Sequence, residues 1–406
     1  MEADVKGIFD SVIVRFGGEL WIKRAWTRKM YERRLVRNIK NVLKRYEVPY
    51  SEIVRRRGRL FLRTGSALEA TKRLARVFGI SSVSPALEVG SSRLEDVVDR
   101  SVFLAGRVLG EGNSFAVRCR RVGDHPYSSS DVCRVVGRRI LDEFGEERGL
   151  KVDLKGADVG LGVEVRGDEA FVYSAVVDGV GGMPLGTQAK VVGLLSGGID
   201  SAVACWLVMK RGCPVVLVYF DNTPYTDETT NERAIEVANV LFDWAVGFPR
   251  KMYIVPHGEN LKKIIENCSR RFTCLLCKRM MYRVAERLAE VVGAEGIVTG
   301  EAIGEQASQT LTNLRVLNTA AQKYPIHRPL LGFDKAETER IARKIGTYKP
   351  STRKAKGCTA VPKKPATMAM LKKVVEAEKK LEIEDMVEKS FHSSRTLSEW
   401  NKPDQA

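Results

Sequence analysis

No apolar run in this 406-residue sequence approaches the ~18–20 residues that a membrane helix needs; runs such as residues 215–220 are strand-sized. The N-terminal segment has no apolar stretch leading to a small-residue cleavage site, so no secretory leader is expected and the chain is placed in the cytoplasm. Internal repeats and low-complexity tracts are also missing. Acidic residues are the scarcer charge, 50 Asp/Glu against 67 Lys/Arg, which leaves a net charge of +17. The excess is uneven, with 17 Lys/Arg against 7 Asp/Glu over residues 1–65. Several basic clusters on one chain point to nucleic acid, because a polyanion gains from counterion release at each neutralised phosphate. A membrane surface fits less well, since no helical pattern sets a Trp/Phe/Leu face against a Lys/Arg face.

What is present suffices for ordinary folding. Hydrophobic residues make up 44% of the chain, and the length predicts two to four domains. Residues 12–16 read as a strand, followed by a helix over 24–46 in which Met30, Leu35, Val36, Ile39, Val42 and Leu43 recur at helical spacing. Arg33 and Arg37 lie on its basic face, and a second basic run covers Arg55, Arg56 and Arg57 with Arg59 and Arg63. Residues 114–122 alternate with period two, placing Phe115, Val117 and Cys119 on one face and Arg118 and Arg120 on the other. The following helix should be capped by Ser130 or Asp131 and expose Arg134 and Arg138. His125, in the turn between them, reads as structural. A glycine-rich stretch over 179–186 reads as a connector or a ligand-touching loop. Beyond it the pattern becomes strand–helix–strand, which predicts a parallel sheet covered on both faces.

The sharpest local signal is Ser196-Gly-Gly-Ile-Asp-Ser201, between an apolar strand and a helix. Gly197 and Gly198 let backbone N–H groups turn toward a phosphate, and the helix presents its positive end to the same anion. Ser196 and Ser201 add hydroxyls, and Asp200 can orient Mg²⁺ or position the loop. The motif is not a Walker loop, which needs Gly-x-x-x-x-Gly-Lys-[Ser/Thr]. It resembles the SGGxDS loop of PP-loop pyrophosphatases, which cleave ATP to AMP and pyrophosphate. That likeness implies adenine near Tyr219 and Phe220.

Longer segments narrow the resemblance. LLSGGIDSAVACWLVMKRG, CLLCKRMMYRVAERLA, VTGEAIGEQASQTLTNL and HRPLLGFDK resemble the tRNA 4-thiouridine synthetases, the ThiI family. VIVRFGGELWIKR is similar to that family's ferredoxin-like domain, and FAVRCRRVGDHPYSSSDVCRVVG to a THUMP domain, an RNA-binding module. The fold class implied is α/β: ferredoxin-like and THUMP α+β domains, then a doubly wound parallel-sheet PP-loop domain of the adenine nucleotide α-hydrolase type. The expected divisions are 1–72, 73–178 and 179–365, with a charged helical tail over 366–406 in place of the rhodanese domain of many bacterial relatives. The resemblance implies that ATP adenylates O4 of a uridine near the tRNA elbow (U8), after which sulfur displaces AMP. It also implies nucleotide contacts from Leu194, Leu195, the 196–201 loop, Tyr219, Phe220, Arg279, Gly300 and Gln309. RNA contacts are expected from Arg33, Arg37, Arg118, Arg120, Arg134 and Arg138. The partners are then tRNA and a sulfur donor, either sulfide or a persulfide carrier; a homodimer is an open alternative.

Of eight cysteines, Cys119, Cys133, Cys205, Cys213 and Cys268 sit singly and read as inert buried thiols. Cys274 and Cys277 form a Cys-x-x-Cys expected just before a helix over 278–292, where the helix end, Lys278 and Arg279 should favour thiolates. Cys358 lies in a stretch, 347–365, with six Lys/Arg and no acid. Two mechanisms stay open. Cys358 carries a persulfide that attacks the adenylated carbon while Cys274 or Cys277 resolves the product, or all three ligate a [4Fe–4S] cluster whose fourth iron holds the attacking sulfide. The Cys-x-x-Cys and the lack of a rhodanese domain favour the cluster. A structural zinc site would want a fourth ligand; His257 and His327, nearest in sequence, read as ordinary loop residues. Amidation of a small molecule and non-catalytic tRNA binding are the competing functional classes.

Overall fold

In the computed structural model, which describes residues 7–56 and 58–398, the apolar run within Ser11–Phe16 sets a central strand buried on both faces, from which the first unit grows. The chain divides into two compact units, residues 1–184 and 185–406. Arg57 and residues 399–406 of the expected tail lie outside the described residues.

The first unit is built on one nine-stranded sheet. Strand Ile80–Glu88 makes it continuous: its early residues pair antiparallel with Ser11–Phe16, whereas Leu87 and Glu88 pair with Val172 and Phe171 of strand Glu169–Tyr173. The halves expected as ferredoxin-like and THUMP domains therefore share a strand. Helix Ala25–Arg45 buries Tyr31, Leu35, Ile39, Val42 and Leu43. Met30, expected on that face, is instead 40% exposed, because Tyr31 takes the core position. Helix Ser129–Arg148 starts two to three residues earlier than the cap read from the sequence, Ser130 or Asp131, would set it. Ser128 is the cap, and its side chain and that of Asp131 satisfy each other's backbone N–H in a capping box. His125 is structural: Nε2 meets the carbonyl of Gly167 at 2.8 Å and Nδ1 meets Arg121.

The basic run at 55–63 is largely neutralised. Arg59, with Arg15 and Arg166, surrounds buried Glu164. Arg63 pairs with Glu52, Glu88 and Glu169, and Arg56 with Glu169. Arg33, Arg37, Arg118, Arg120, Arg134 and Arg138 are all exposed, although Arg134 and Arg138 pair along their helix with Asp131 and Asp142. The glycine-rich stretch ends this unit as an ordered strap. Gly179 N–H donates to Ser81 O, Gly181 N–H to Ile80 O, and Gly79 N–H returns to Gly181 O.

The second unit is a six-stranded sheet. Strand Val191–Leu194 is flanked in parallel by Val215–Asp221 and Ile297–Val298, which pair outward with Met252–Pro256 and Ile326–His327. The expected tail belongs to this body: strand Arg395–Leu397 adds antiparallel to Met252–Pro256, and Val374, Met386 and Val387 join the core under helix Thr273–Val292. Among the described residues no helix is long and apolar enough to cross a membrane.

Candidate active site

Strand Val191–Leu194 delivers the chain to the glycine turn, and helix Ile199–Lys210 leaves it. Gly198 caps that helix without a side-chain hydrogen bond, so its leading amides face outward. Gly197 has φ +76°, and a Cβ there would lie 2.9 Å from the Ala234 nitrogen; both facts require glycine. Ser201 Oγ accepts from Ser196 N–H and donates to Gly198 O, which locks the turn before any ligand arrives.

The turn opens on a cleft at the carboxyl ends of the strands, where doubly wound sheets place ligands. Leu194, Leu195, Ser196, Gly198, Asp200, Ser201, Tyr219, Phe220, Gly300 and Gln309 all line it, and so does Cys358. Gly300 has a further reason for lacking a side chain: a Cβ would meet Ser201 N at 2.5 Å. It is the start of the helix after the glycine turn that packs against Gly300. Four buried polar atoms of lining residues have no protein partner: Asn222 Oδ1, Thr226 Oγ1, Arg233 Nε and Gln309 Oε1. Buried polar atoms are normally paired, so these four suit a polar ligand in the cleft.

Arg279 requires a correction. Its guanidinium is 2% exposed and bound bidentately to Glu378 (2.8 Å and 2.8 Å), with Val316 O and Thr319 Oγ1 as further acceptors. It lines no part of the cleft; the helix turns it inward toward the C-terminal segment. The arginine in the cleft wall is Arg233. Sequence reading also missed Arg233, Glu301, Glu305 and Lys335, and gave Lys278 only an effect on the thiols. Lys335 Nζ lies 2.7 and 2.9 Å from the two carboxylate oxygens of Asp200 and 3.4 Å from Glu305. One signal was available: Lys335 opens helix Lys335–Ile345 after the Asp334 capping box, and a cation there opposes the helix dipole unless an anion compensates. Lys278 Nζ is 3.0 Å from Glu301, whose carboxylate also accepts from Tyr282 and Arg328.

The thiols come together, but not as expected. Helix Thr273–Val292 begins before Cys274, so both cysteines lie within its first turns. Burial raises the Cys274 thiol, as does neighbouring Cys358, against the pull of Lys278 and Arg270. Burial raises Cys277 further, with Cys274 and Cys358 adding to it. The depressed values expected for this pair are therefore not found, because desolvation outweighs the nearby cations. Cys358 adds to the shift of both helix cysteines, which places its loop near theirs. His257, dismissed on sequence, is wholly buried with its Nε2 3.4 Å from Cys277 Sγ, and burial lowers its pKa to about 4. His327 sits instead in strand Ile326–His327. The loop bearing Cys358 is tied down by Thr359 N–H to Tyr225 O and by Arg353 to Glu232 and Glu236.

A parallel sheet with an anion-cradling turn, a thiol in the same cleft, and a basic α+β unit define an RNA-directed enzyme of the PP-loop class. The matching family models agree in order: a ThiI ferredoxin-like domain over 11–84, a THUMP domain over 94–175, and the thiamine biosynthesis protein ThiI over 186–383. Two relatives, each named probable tRNA sulfurtransferase, come from Methanosarcina mazei and Methanosarcina acetivorans. The first is 43% identical over 95% of both chains, the second 45% identical over 95% of this chain and 93% of the other. A crystal structure of a 4-thiouridine synthetase–RNA complex with bound ATP superposes with TM-score 0.86 at 31% identity, covering 96% of this chain and 99% of that one. The chain belongs to the ThiI family.

Proposed function

We propose that this chain is an ATP-dependent tRNA uracil 4-sulfurtransferase that converts a tRNA uridine, U8, to 4-thiouridine. The observation that carries the reading is Cys358 in the wall of the cleft that holds the phosphate turn. Family membership and the likeness to an ATP-bound, RNA-bound synthetase support it. In this scheme O4 of the uridine attacks the α-phosphorus and pyrophosphate departs. The amides at Gly197 and Gly198 and the start of helix Ile199–Lys210 stabilise the departing charge by preorganised dipoles. Gln309 Oε1, an acceptor without a protein partner, suits the adenine amino group. A sulfur nucleophile then adds to C4, and AMP leaves with the original oxygen.

Two groups beyond the chain enter this reading. Asp200 and Glu305 converge on one cation, Lys335 Nζ, the donor set a hard divalent ion takes, so Mg²⁺ carried in with ATP would be held there and neutralise the pyrophosphate. The thiols of Cys274, Cys277 and Cys358 fit a [4Fe–4S] cluster by chemistry. No group of three His, Cys, Asp or Glu among the described residues is drawn together as a single metal ion requires, whereas a cubane spreads its ligands over separate irons. Bound, such a cluster would supply an iron that presents sulfide. Without it, a persulfide on Cys358, its outer sulfur transferred from a persulfide carrier, serves: that sulfur adds to C4, and a thiolate of Cys274 or Cys277 then attacks the inner sulfur. That step breaks the S–S bond, forms a protein disulfide and releases the thiouridine. A reductant of the dithiol class restores the enzyme.

The test is tRNA thiolation with ATP, Mg²⁺ and either sulfide or a persulfide carrier, alongside tRNA-dependent pyrophosphate release. Cys358→Ser should keep pyrophosphate release and lose thionucleoside. Pyrophosphate release that ignores tRNA, or full thiolation by Cys358→Ser, would overturn the reading.

A further inference from the structure

His257 reads from sequence as an ordinary loop residue, yet the fold brings it to the sulfur site. It caps helix Gly258–Asn267, its backbone N–H donates to Asp221 O at 2.7 Å, and its ring meets Phe220 edge-on at 5.5 Å between centroids. The neighbouring glycine explains how tightly this corner is built: a Cβ on Gly258 would fall 1.7 Å from Thr223 O. The imidazole is thus held in place by backbone, aromatic and side-chain contacts at once.

Its hydrogen bonds favour one tautomer. Asn260 Nδ2 lies 3.3 Å from His257 Nδ1 and 2.7 Å from Ser390 Oγ. An amide nitrogen only donates, and these two acceptors use both of its hydrogens. With the Asn260 amide in this orientation Nδ1 offers its lone pair, and the single proton of this fully buried ring sits on Nε2. Nε2 is the atom 3.4 Å from Cys277 Sγ. The sulfur therefore receives an N–H and cannot itself donate to the ring.

We propose that His257 is a positioning residue of the sulfur site, giving a fixed Nε2–H hydrogen bond to the sulfur of Cys277. This rests on the reading of Cys277 as part of the sulfur-transfer machinery. Cys277 Sγ lies 3.4 Å from this ring nitrogen, on the same helix, Thr273–Val292, that carries Cys274 and Lys278. A neutral donor aimed at it favours negative charge on sulfur without adding a charge that must be desolvated. It also directs a sulfur lone pair, as hydrogen-bond donors placed behind a ligating atom do. The same arrangement serves Cys277 as resolving thiolate or as ligand, since each needs sulfur deprotonated.

Long-range ¹H–¹⁵N spectra of the full chain should show a pyridine-like Nδ1 and a protonated Nε2 for His257. In the metal-free protein, His257→Leu should slow iodoacetamide alkylation of Cys277 about tenfold at a single mildly alkaline pH, while His257→Gln, whose amide can donate, stays within about threefold of wild type. A protonated Nδ1 in the wild type, or His257→Leu alkylating at the wild-type rate, overturns the proposal. The spectrum needs no substitution, so a variant that fails to fold leaves the proposal decidable. Failure of the underlying reading appears separately, as a Cys277→Ser enzyme that thiolates tRNA at the wild-type rate.

Discussion

Lys335 Nζ grips both carboxylate oxygens of Asp200, at 2.7 and 2.9 Å, across 135 residues of sequence. Without that cation the phosphate turn would present Asp200 and Glu305 unneutralised to an incoming polyanion. Lys335→Met should raise KM for ATP about tenfold, the scale of one charged hydrogen bond. Asp200→Asn should lower kcat about 10²-fold through loss of pyrophosphate stabilisation. Steady-state pyrophosphate release with saturating tRNA separates the two, and equal KM effects from both would contradict these roles.

Arg279 gives the opposite pattern. It is bound to Glu378 in the interior of the second unit, so Arg279→Met should destabilise the fold by about 3–5 kcal/mol, the usual result of stranding one partner of a buried pair. The remaining folded enzyme should bind ATP with unchanged affinity. Thermal melts and ATP titration check this; a stable variant with weakened nucleotide binding would return Arg279 to the cleft.

Gly300→Ala tests the close approach behind the phosphate turn. The added carbon would lie 2.5 Å from Ser201 N, which forces the start of helix Ile199–Lys210 to shift at a cost of about 1–3 kcal/mol. Reduced ATP affinity together with a lowered melting temperature is expected. Calorimetric titration showing wild-type binding would mean the turn yields without consequence.

Glu301 supplies the pH dependence. Burial opposes its ionisation, but Lys278 and Arg328, with the Tyr282 hydroxyl, outweigh it and lower its pKa. A carboxyl lowered on folding stabilises the protein above its unfolded value, near ~4.3, and that contribution disappears as pH falls through the lower folded value. The stability difference between wild type and Glu301→Gln should be largest at neutral pH and shrink below pH ~4.3. Denaturant melts across that range decide it; a difference independent of pH would mean Glu301 acts by shape alone.

Arg118 and Arg120 are exposed on a strand of the THUMP half. Replacing each by Gln should weaken tRNA binding and flatten the dependence of log K on log salt by about 0.7–0.9 for every phosphate left unneutralised. Binding measured over a salt series checks both; an unchanged slope would remove these residues from the RNA surface.

The strands and helices around the phosphate turn, and the turn itself, were readable in the sequence because each depends on neighbours a few residues away. Glycine's freedom at 197, the apolar runs of the parallel strands and the period of helix Ile199–Lys210 are such properties. Long-range partners were not readable. A basic run looked like an RNA surface until Glu164, more than a hundred residues from Arg59, took up its charge. Arg279 had the chemistry for phosphate until Glu378, 99 residues on, claimed it. Cys274 and Cys277 read as thiolates beside Lys278, yet packing removed the water that would have favoured the anion. Residue spacing along a chain sets backbone geometry and identifies which groups have charge or sulfur to offer. Whether a guanidinium meets a ligand or a carboxylate, and whether a thiol meets water or a histidine, depends on which distant segments pack against it, and tertiary structure alone decided that here.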